Sequence, residues 1–423
     1  MTTVRRDSKG RVLRKGESFK KSKQLYVYSY TDIMGKRRCV YAKDLSELRI
    51  KEDHIQKNKL DKFDVYCIGK AEINYVFDRY LATKTNLRGT TKSNYMYTYD
   101  RYVRDGFGKN RLEDVKFSDI ILFYNSILEK GLSINTVDNI HGLLHPTFEL
   151  AVRDRILRSN PSNGALAEIK KNIRKPDKKY ALALEEETAF LKYLDDKDNK
   201  RWKPLFVFMF GTGVRVGELI GLRWCDLDFD NRVISINHNI AYYQKAEKNN
   251  KCGFDVYETK TAAGVRTIPM LDQVYDALIE EKNNQKEYGY HSIVEIGGLK
   301  DFVFCNRFGN VHNASALNRV IKRIVDDYNA KEEVRAWREK REPLILPRFS
   351  CHIIRHTFCT RLCENDVNIK VIQSVMGHKD VQTTLNIYAD VSERRKMYVF
   401  RDLSQKIILE KASMITSSVP QID

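Results

Sequence analysis

The sequence predicts a multidomain chain, mainly α-helical with small β-sheets: an N-terminal α+β module, an all-α domain, and a larger mixed α/β domain in which helices dominate. Three observations predict it. A chain of 423 residues is too long for one hydrophobic core, and its 42% hydrophobic content is enough to bury several. Aromatic and β-branched residues around a turn near the N-terminus give way, after residue 66, to apolar positions at steps of three and four. A cationic, Pro-containing stretch, IKKNIRKPDKKYA (169–181), then interrupts the pattern and reads as a linker.

The first module spans residues 1–62. LYVYSY (25–30), a turn at Asp32–Gly35 and RRCVY (37–41) read as a hairpin, and SELRIKEDHIQKNK (46–59) reads as a helix. This block holds 18 Lys and Arg against 8 Asp and Glu, so +10 of the net +18 lies here. From about residue 66 to 171 the spacing is helical. Ile73, Val76, Phe77 and Tyr80 share a face, and a second helix covers Ser93–Asp105. Ser118 is the expected cap of a third helix, ending at Gly131, and Ser133 opens a fourth through Val152. After the linker (172–181), the third domain runs over 182–401. Helices are expected there at 185–195, 203–210, 216–224, 272–288, 315–327, 352–364 and 368–376, with strands near 232–236, 255–258 and 265–269. The tail, 402–423, contains the helix-prone DLSQKIILEKA.

Lys plus Arg number 74 against 56 Asp plus Glu, and the pI is near 9.3. That excess favours a polyanionic partner, nucleic acid above all. The longest apolar stretch, around Pro204–Val214, is far short of the ~20 residues a membrane span needs. MTTVRRDSKG lacks the apolar core of a secretory signal, so a cytoplasmic location is expected. Eight cysteines lie scattered without a CxxC pair, which speaks against a disulfide framework and against a zinc site. Cys359 and Cys363 read as free thiols in a helix core. Neither a metal nor a cofactor is expected.

Four stretches of the third domain carry chemistry-bearing residues. In GTGVRVGELIGLRW (211–224), the chain enters a helix with Arg215 at its N-terminal end, where anions bind, and Glu218 three residues on to orient it. In ETKTAAGVRTIPM (258–270), Lys260 sits on a Gly-containing turn between two short strands. In SCHIIRHTFCTRL (350–362), Ser350 is a candidate N-cap, His352 and Arg355 share one side of a helix, and His356 points elsewhere among apolar neighbours. In VMGHKDVQTTLNIYADV (375–391), Gly377 ends one helix and His378 follows in the turn, while Thr383–Thr384 start the helix that carries Tyr388. Singly, each is ordinary. An Arg–Glu pair at a helix start is usually structural, a turn lysine is usually solvated, and one tyrosine among 23 is usually core packing.

In order, Arg215, Lys260, His352-x-x-Arg355, His378 and Tyr388, confined to one domain of a basic chain, resemble the motifs of the tyrosine recombinases, or phage integrase family. The resemblance covers all three blocks. Its nearest flavour is the integrases of Gram-positive conjugative transposons, which also carry a small sheet-plus-helix N-terminal module. It implies a site-specific recombinase that integrates and excises a mobile element, cutting and rejoining DNA through a 3′-phosphotyrosyl intermediate without metal or ATP. Tyr388 is then the nucleophile, and Arg215 and Arg355 clamp the phosphate. His378 donates to the phosphate, His352 moves protons at the tyrosine or the incoming hydroxyl, Lys260 protonates the departing 5′-oxygen, and Glu218 supports Arg215.

The resemblance further implies that residues 1–62 bind arm-type sites on double-stranded DNA. Residues 66–171 and the catalytic domain, 182–401, would grip the core site in a C shape. Four protomers would act on two duplexes, with the 402–423 tail docking on its own domain or on a neighbouring protomer. Accessory DNA-bending or excision proteins and a nucleoid-associated location in a bacterium follow from the same likeness. Two rival readings use nearly the same residues: a type IB topoisomerase, which would relax supercoils alone, and a non-catalytic DNA-binding relative. The separate N-terminal module and the full set of polar residues favour the recombinase.

Overall fold

The computed structural model describes residues 5–7, 9–31, 37–60, 71–171, 181–245, 251–258, 264–389 and 391. The chain divides into two units, Met1–Pro176 and Asp177–Asp423.

In the N-terminal module, β1 (Glu17–Lys20), β2 (Leu25–Thr31) and β3 (Arg37–Ala42) form an antiparallel sheet in that order, with Tyr28 opposite Glu17 and Val40. Tyr26 and Tyr28 fall on one face by the two-residue period of a strand, and they cluster with Leu45 and Leu48 of α1 (Leu45–Leu60). The expected hairpin and helix are present, and the turn between the strands lies outside the described residues. β1 has little signal in the sequence, because ESFK offers one apolar residue and opens on a buried glutamate. Glu17 is held there by the Arg14 N–H at 2.6 Å and by Arg49 Nε at 3.2 Å, the pairing a buried charge requires.

The helical domain follows its predicted spacing. α2 (Ile73–Thr83) buries Ile73, Val76, Phe77 and Tyr80. α3 (Gly89–Tyr99) begins a turn earlier than Ser93 and runs on through a π-helical turn, Asp100–Arg104. Tyr99 stacks on Phe77 with ring centroids 3.5 Å apart, and its hydroxyl donates to Asn74 at 3.1 Å. Ser118 is not the cap of α4 (Phe117–Glu129). The Asp119 carboxylate accepts the Lys116 N–H at 2.8 Å, so the helix starts before Ser118, a charged acceptor prevailing over a hydroxyl. Ser133 does cap α5 (Ile134–Arg153), its hydroxyl accepting from the Thr136 N–H at 3.3 Å. α6 (Ala165–Lys171) closes the domain. Linker residues 172–180 and the tail 402–423 lie outside the described residues.

The second unit opens with α7 (Leu184–Tyr193), α8 (Lys203–Thr212) and α9 (Val216–Gly221). α8 is apolar nearly all round and is correspondingly buried. α9 stops at Gly221, short of the expected 224, and a 3₁₀ turn at Trp224–Asp226 follows. Five strands come next: β4 (Leu227–Asp228), β5 (Val233–Ile236), β6 (His238–Lys245), β7 (Lys251–Glu258) and β8 (Arg266–Pro269). β4, β5 and β8 form one antiparallel sheet, while β6 and β7 form a separate hairpin. β6 has a faint signal, since HNIAYYQK buries Ile240 alone. β7 pairs with β6 and β8 with β5, so the two strands that flank the Lys260 stretch belong to different sheets, and Lys260 itself lies outside the described residues.

α10 (Asp272–Tyr288), α11 (Ala314–Glu339), α12 (Cys351–Glu364), α13 (Ile369–Met376) and α14 (381–389) complete the unit. α11 runs well beyond residue 327 because its buried stripe continues through Tyr328, Glu332 and Ala336. A buried glutamate breaks the apolar pattern, and Arg335 and Arg341 make it tolerable. Among the described residues no helix is long and apolar enough to cross a membrane.

Replacing Phe77 by Ala is expected to destabilise the helical domain by ~3–5 kcal/mol. Trp202, Trp224 and Trp337, the only tryptophans, all lie in the second unit. Fluorescence-detected unfolding in urea should therefore stay in place while circular dichroism acquires an earlier transition.

Candidate active site

α8 ends on Gly213, whose φ of 60° is left-handed. A Cβ there would lie 2.4 Å from the Phe358 ring of α12, so this position requires glycine both for conformation and for space. The chain then extends through Arg215 into α9. The Arg215 N–H donates to one Glu218 carboxylate oxygen and its Nη1 to the other, both at 2.8 Å. The expected support of Arg215 by Glu218 is present.

Arg355 of α12 is buried. It donates to the Gly213 carbonyl at 2.7 Å and to the Met376 carbonyl at 2.5 Å. Arg215 donates to the Gly377 carbonyl at 2.8 Å. A third guanidinium, Arg266 at the start of β8, donates from Nε to the Val375 carbonyl at 2.6 Å and forks onto both Glu218 oxygens at 2.8 and 3.0 Å. Three successive carbonyls at the C-terminal end of α13 thus each accept from a different arginine. Helix ends suit this, since their last carbonyls lack intrahelical partners and carry partial negative charge. Nothing local in the sequence singles out Arg266, which follows Lys260 in the same stretch, ETKTAAGVRTIPM.

His378 follows the left-handed Gly377, and its Nδ1 is hydrogen-bonded to the buried Thr384 hydroxyl at 2.9 Å. Thr383 and Thr384 do not start α14; Asp380 accepts the Gln382 N–H at 2.9 Å and takes that place. Burial, then the charges of Arg355, Arg215, Arg266 and His352, bring His378 down to about 4, so it is neutral at pH 7. His352 is exposed one turn before buried Arg355, so the two share a stripe at different depths. Ser350 occupies the N-cap position of α12, but the first N–H of the helix goes to Asn318 at 3.0 Å. His356 is half-buried. Tyr388 of α14 packs on a cluster containing Phe358, Cys359, Cys363 and Met376, which places the tyrosine's helix against α12 and α13 of its own chain. Cys359 and Cys363 are buried free thiols, as expected. Lys260 lies outside the described residues.

Three guanidiniums here face one carboxylate. Burial would raise Glu218, but its bonds with Arg266 and the charges of Arg266 and Arg215 hold it at about 2. Burial and the charges of Arg215 and Arg266 bring Arg355 down to about 9, with Glu218 opposing them, and it remains charged at neutral pH. The cluster therefore carries a surplus of two positive charges and suits an anion of phosphate shape, which forked guanidiniums recognise in pairs. Among the described residues no group of three His, Cys, Asp or Glu is placed to hold a metal ion. A cavity of about 500 Å³ at the other end of α8, lined by Arg201, Trp202, Glu281 and His312 among others, includes none of these residues.

The sequence pattern of the phage integrase family matches residues 181–395, and that of the DNA binding domain of Tn916 integrase matches residues 1–59. The transposase from transposon Tn916 of Enterococcus faecalis is 29% identical over 425 aligned positions, covering 96% of this chain and 98% of its own length. The transposase from transposon Tn1545 of Streptococcus pneumoniae shows the same identity, 29%, and the same coverage, 96% and 98%. A solved structure of the Tn1549 transposon integrase in complex with circular intermediate DNA is 29% identical, with a TM-score of 0.66 over 78% of this chain and 100% of its own.

The site makes stability depend on pH. Glu218, ordinarily near 4.5 and here about 2, stabilises the folded chain above pH 4.5, and that contribution fades as the pH falls toward 2. His378, ordinarily near 6.5 and here about 4, contributes above pH 6.5 and loses its effect between 6.5 and 4. In urea unfolding across pH, His378→Asn is expected to flatten the upper part of the acid decline and Glu218→Gln the lower. Glu218→Ala, leaving Arg215 and Arg266 without a carboxylate, is expected to lose ~3–5 kcal/mol at pH 7.

Proposed function

Because the chain belongs to the phage integrase family, we propose that the arginine cluster at the end of α13 is the scissile-phosphate site of its DNA-cleavage reaction. The protein is a tyrosine site-specific recombinase, an integrase of the conjugative-transposon type that cuts and rejoins DNA. The family and the relatives support this reading over a topoisomerase or a non-catalytic DNA-binding protein. The observation that carries the phosphate assignment is the surplus of two positive charges that Arg215, Arg266 and Arg355 hold over Glu218 at the end of α13.

In this reading the Tyr388 oxygen attacks phosphorus, forming a 3′-phosphotyrosine as the bond to the 5′-oxygen breaks. His352 takes up the phenolic proton, and Lys260 protonates the departing 5′-oxygen. Arg215 and Arg355 bind the non-bridging oxygens with donors not spent on carbonyls. On this reading neutral His378 accepts a hydrogen bond from the Thr384 hydroxyl at Nδ1, leaving its own proton on Nε2 as a donor to the phosphate. A 5′-hydroxyl from a partner strand reverses the attack, and the phenolate leaves without any stored energy from ATP.

The same reading assigns residues 1–62 to arm-type sites, 66–171 to the core site and 182–401 to catalysis, with 172–181 linking them. Four protomers would act on two duplexes at the ends of a mobile element, with the 402–423 tail docking on its own domain or on a neighbouring protomer and accessory DNA-bending or excision proteins setting direction. Action on DNA within a bacterial host would put the protein in the cytoplasm, with the nucleoid. The match to an integrase solved with circular intermediate DNA supports the choice of substrate.

Two outcomes check this. Covalent adducts trapped with DNA in the presence of EDTA, then sequenced, should map one strand position joined through its 3′-phosphate. Tyr388→Phe should abolish the adduct while retaining DNA binding, whereas an unchanged adduct would eliminate Tyr388. Binding itself should weaken linearly in log–log plots against salt, because phosphates supply most contacts.

A further inference from the structure

Arg266 differs from the other two arginines in how its donors are spent. Four of its five N–H bonds turn inward, to the Val375 carbonyl, both Glu218 oxygens and the Gly264 carbonyl. Its side chain is 4% exposed, against 42% for Arg215. Arg355 is also buried, but its two bonds to Gly213 and Met376 leave three donors for an anion. Arg266 has almost nothing left with which to touch DNA.

What it touches instead is the machinery. Glu218 holds Arg215 in place, yet a carboxylate beside a phosphate-binding guanidinium also cancels the charge that binding needs. Arg266 sits on both Glu218 oxygens and supplies the compensating charge, so Glu218 can orient Arg215 without neutralising it. Its Nε bond to Val375 also fixes the turn whose next two carbonyls receive Arg355 and Arg215. We infer that Arg266 is a positioning residue of the cleavage reaction, neutralising Glu218 and anchoring the end of α13 so that Arg215 and Arg355 present two uncancelled charges to the scissile phosphate. This rests on the phosphate-site reading above.

The test uses the full-length protein and a nicked duplex carrying the cleavage position mapped from trapped DNA, made with either a phosphodiester or a neutral methylphosphonate at that position. Single-turnover cleavage by Arg266→Gln is expected to fall about 100-fold on the phosphodiester, the scale of losing one preorganised electrostatic contact, with DNA affinity little changed. Arg266→Lys, which keeps the charge but not the fork, should recover most of the rate. On the methylphosphonate, which presents no charge to neutralise, the Arg266→Gln deficit should shrink at least about tenfold, as it should for Arg215→Ala. Equal deficits on the two substrates, or wild-type cleavage by Arg266→Gln, would overturn the inference. If thermal melting shows Arg266→Gln unfolded, Arg266→Lys carries the comparison: most of the rate retained, with any remaining loss smaller on the neutral substrate, supports the inference, and a large loss equal on the two substrates overturns it. Failure of the wild-type chain to cleave the phosphodiester would sink the phosphate-site reading itself, and the inference with it.

Discussion

The site turns on the end of one short helix. Val375, Met376 and Gly377 present three successive carbonyl oxygens, and three guanidiniums arrive to meet them from β8, α12 and the start of α9. Main-chain carbonyls are a secure anchor because no side-chain substitution removes them. Arg355 is also tied to the Gly213 carbonyl at the end of α8, so its charge lies between two helix ends of negative polarity. That polarity is what lets a chain fold with more buried cations than anions in one place. The fold bears an electrostatic imbalance there, as functional sites commonly do.

Much of this was legible because the chemistry recurs at short, fixed spacings. Arg215 with Glu218 and His352 with Arg355 are three-residue steps on helices, and Gly377–His378 is a helix stop followed by a turn. Hairpin β2–β3, α2 and α5 announced themselves by periodicity or by a capping serine. What stayed hidden depends on distant partners. Arg266 meets Glu218 across 48 residues and Val375 across 109, and an arginine opening a strand has no local signature. Glu17 of β1 is stable because of Arg49, 32 residues away. Glu332 similarly interrupts the apolar stripe of α11, and only the folded chain shows Arg341 pairing with it. The exchange of partners that leaves β7 with β6 and β8 with β5 is likewise invisible to a scan that treats adjacent strands as a hairpin.

Histidine and threonine divide a task that neither performs alone. His378 is kept uncharged by its burial and then by the cations around it, so it adds no repulsion to a site already rich in positive charge. The Thr384 hydroxyl, presented by α14, is hydrogen-bonded to one ring nitrogen of the imidazole, Nδ1. The helix bearing Tyr388 is therefore registered against the arginine cluster by a polar contact as well as by the apolar cluster beneath it.

Gly213 has a consequence for anyone reshaping this enzyme. A methyl group there would press on the Phe358 ring at 2.4 Å and the Met376 sulfur at 3.2 Å. One added carbon would prise apart three helices at once and change the spacing between two guanidiniums without altering a single charge. Libraries meant to redirect such an enzyme toward new genomic addresses should diversify the surfaces that read DNA and leave this hydrogen-only position alone, for its replacement would mimic a loss of specificity while being a loss of alignment.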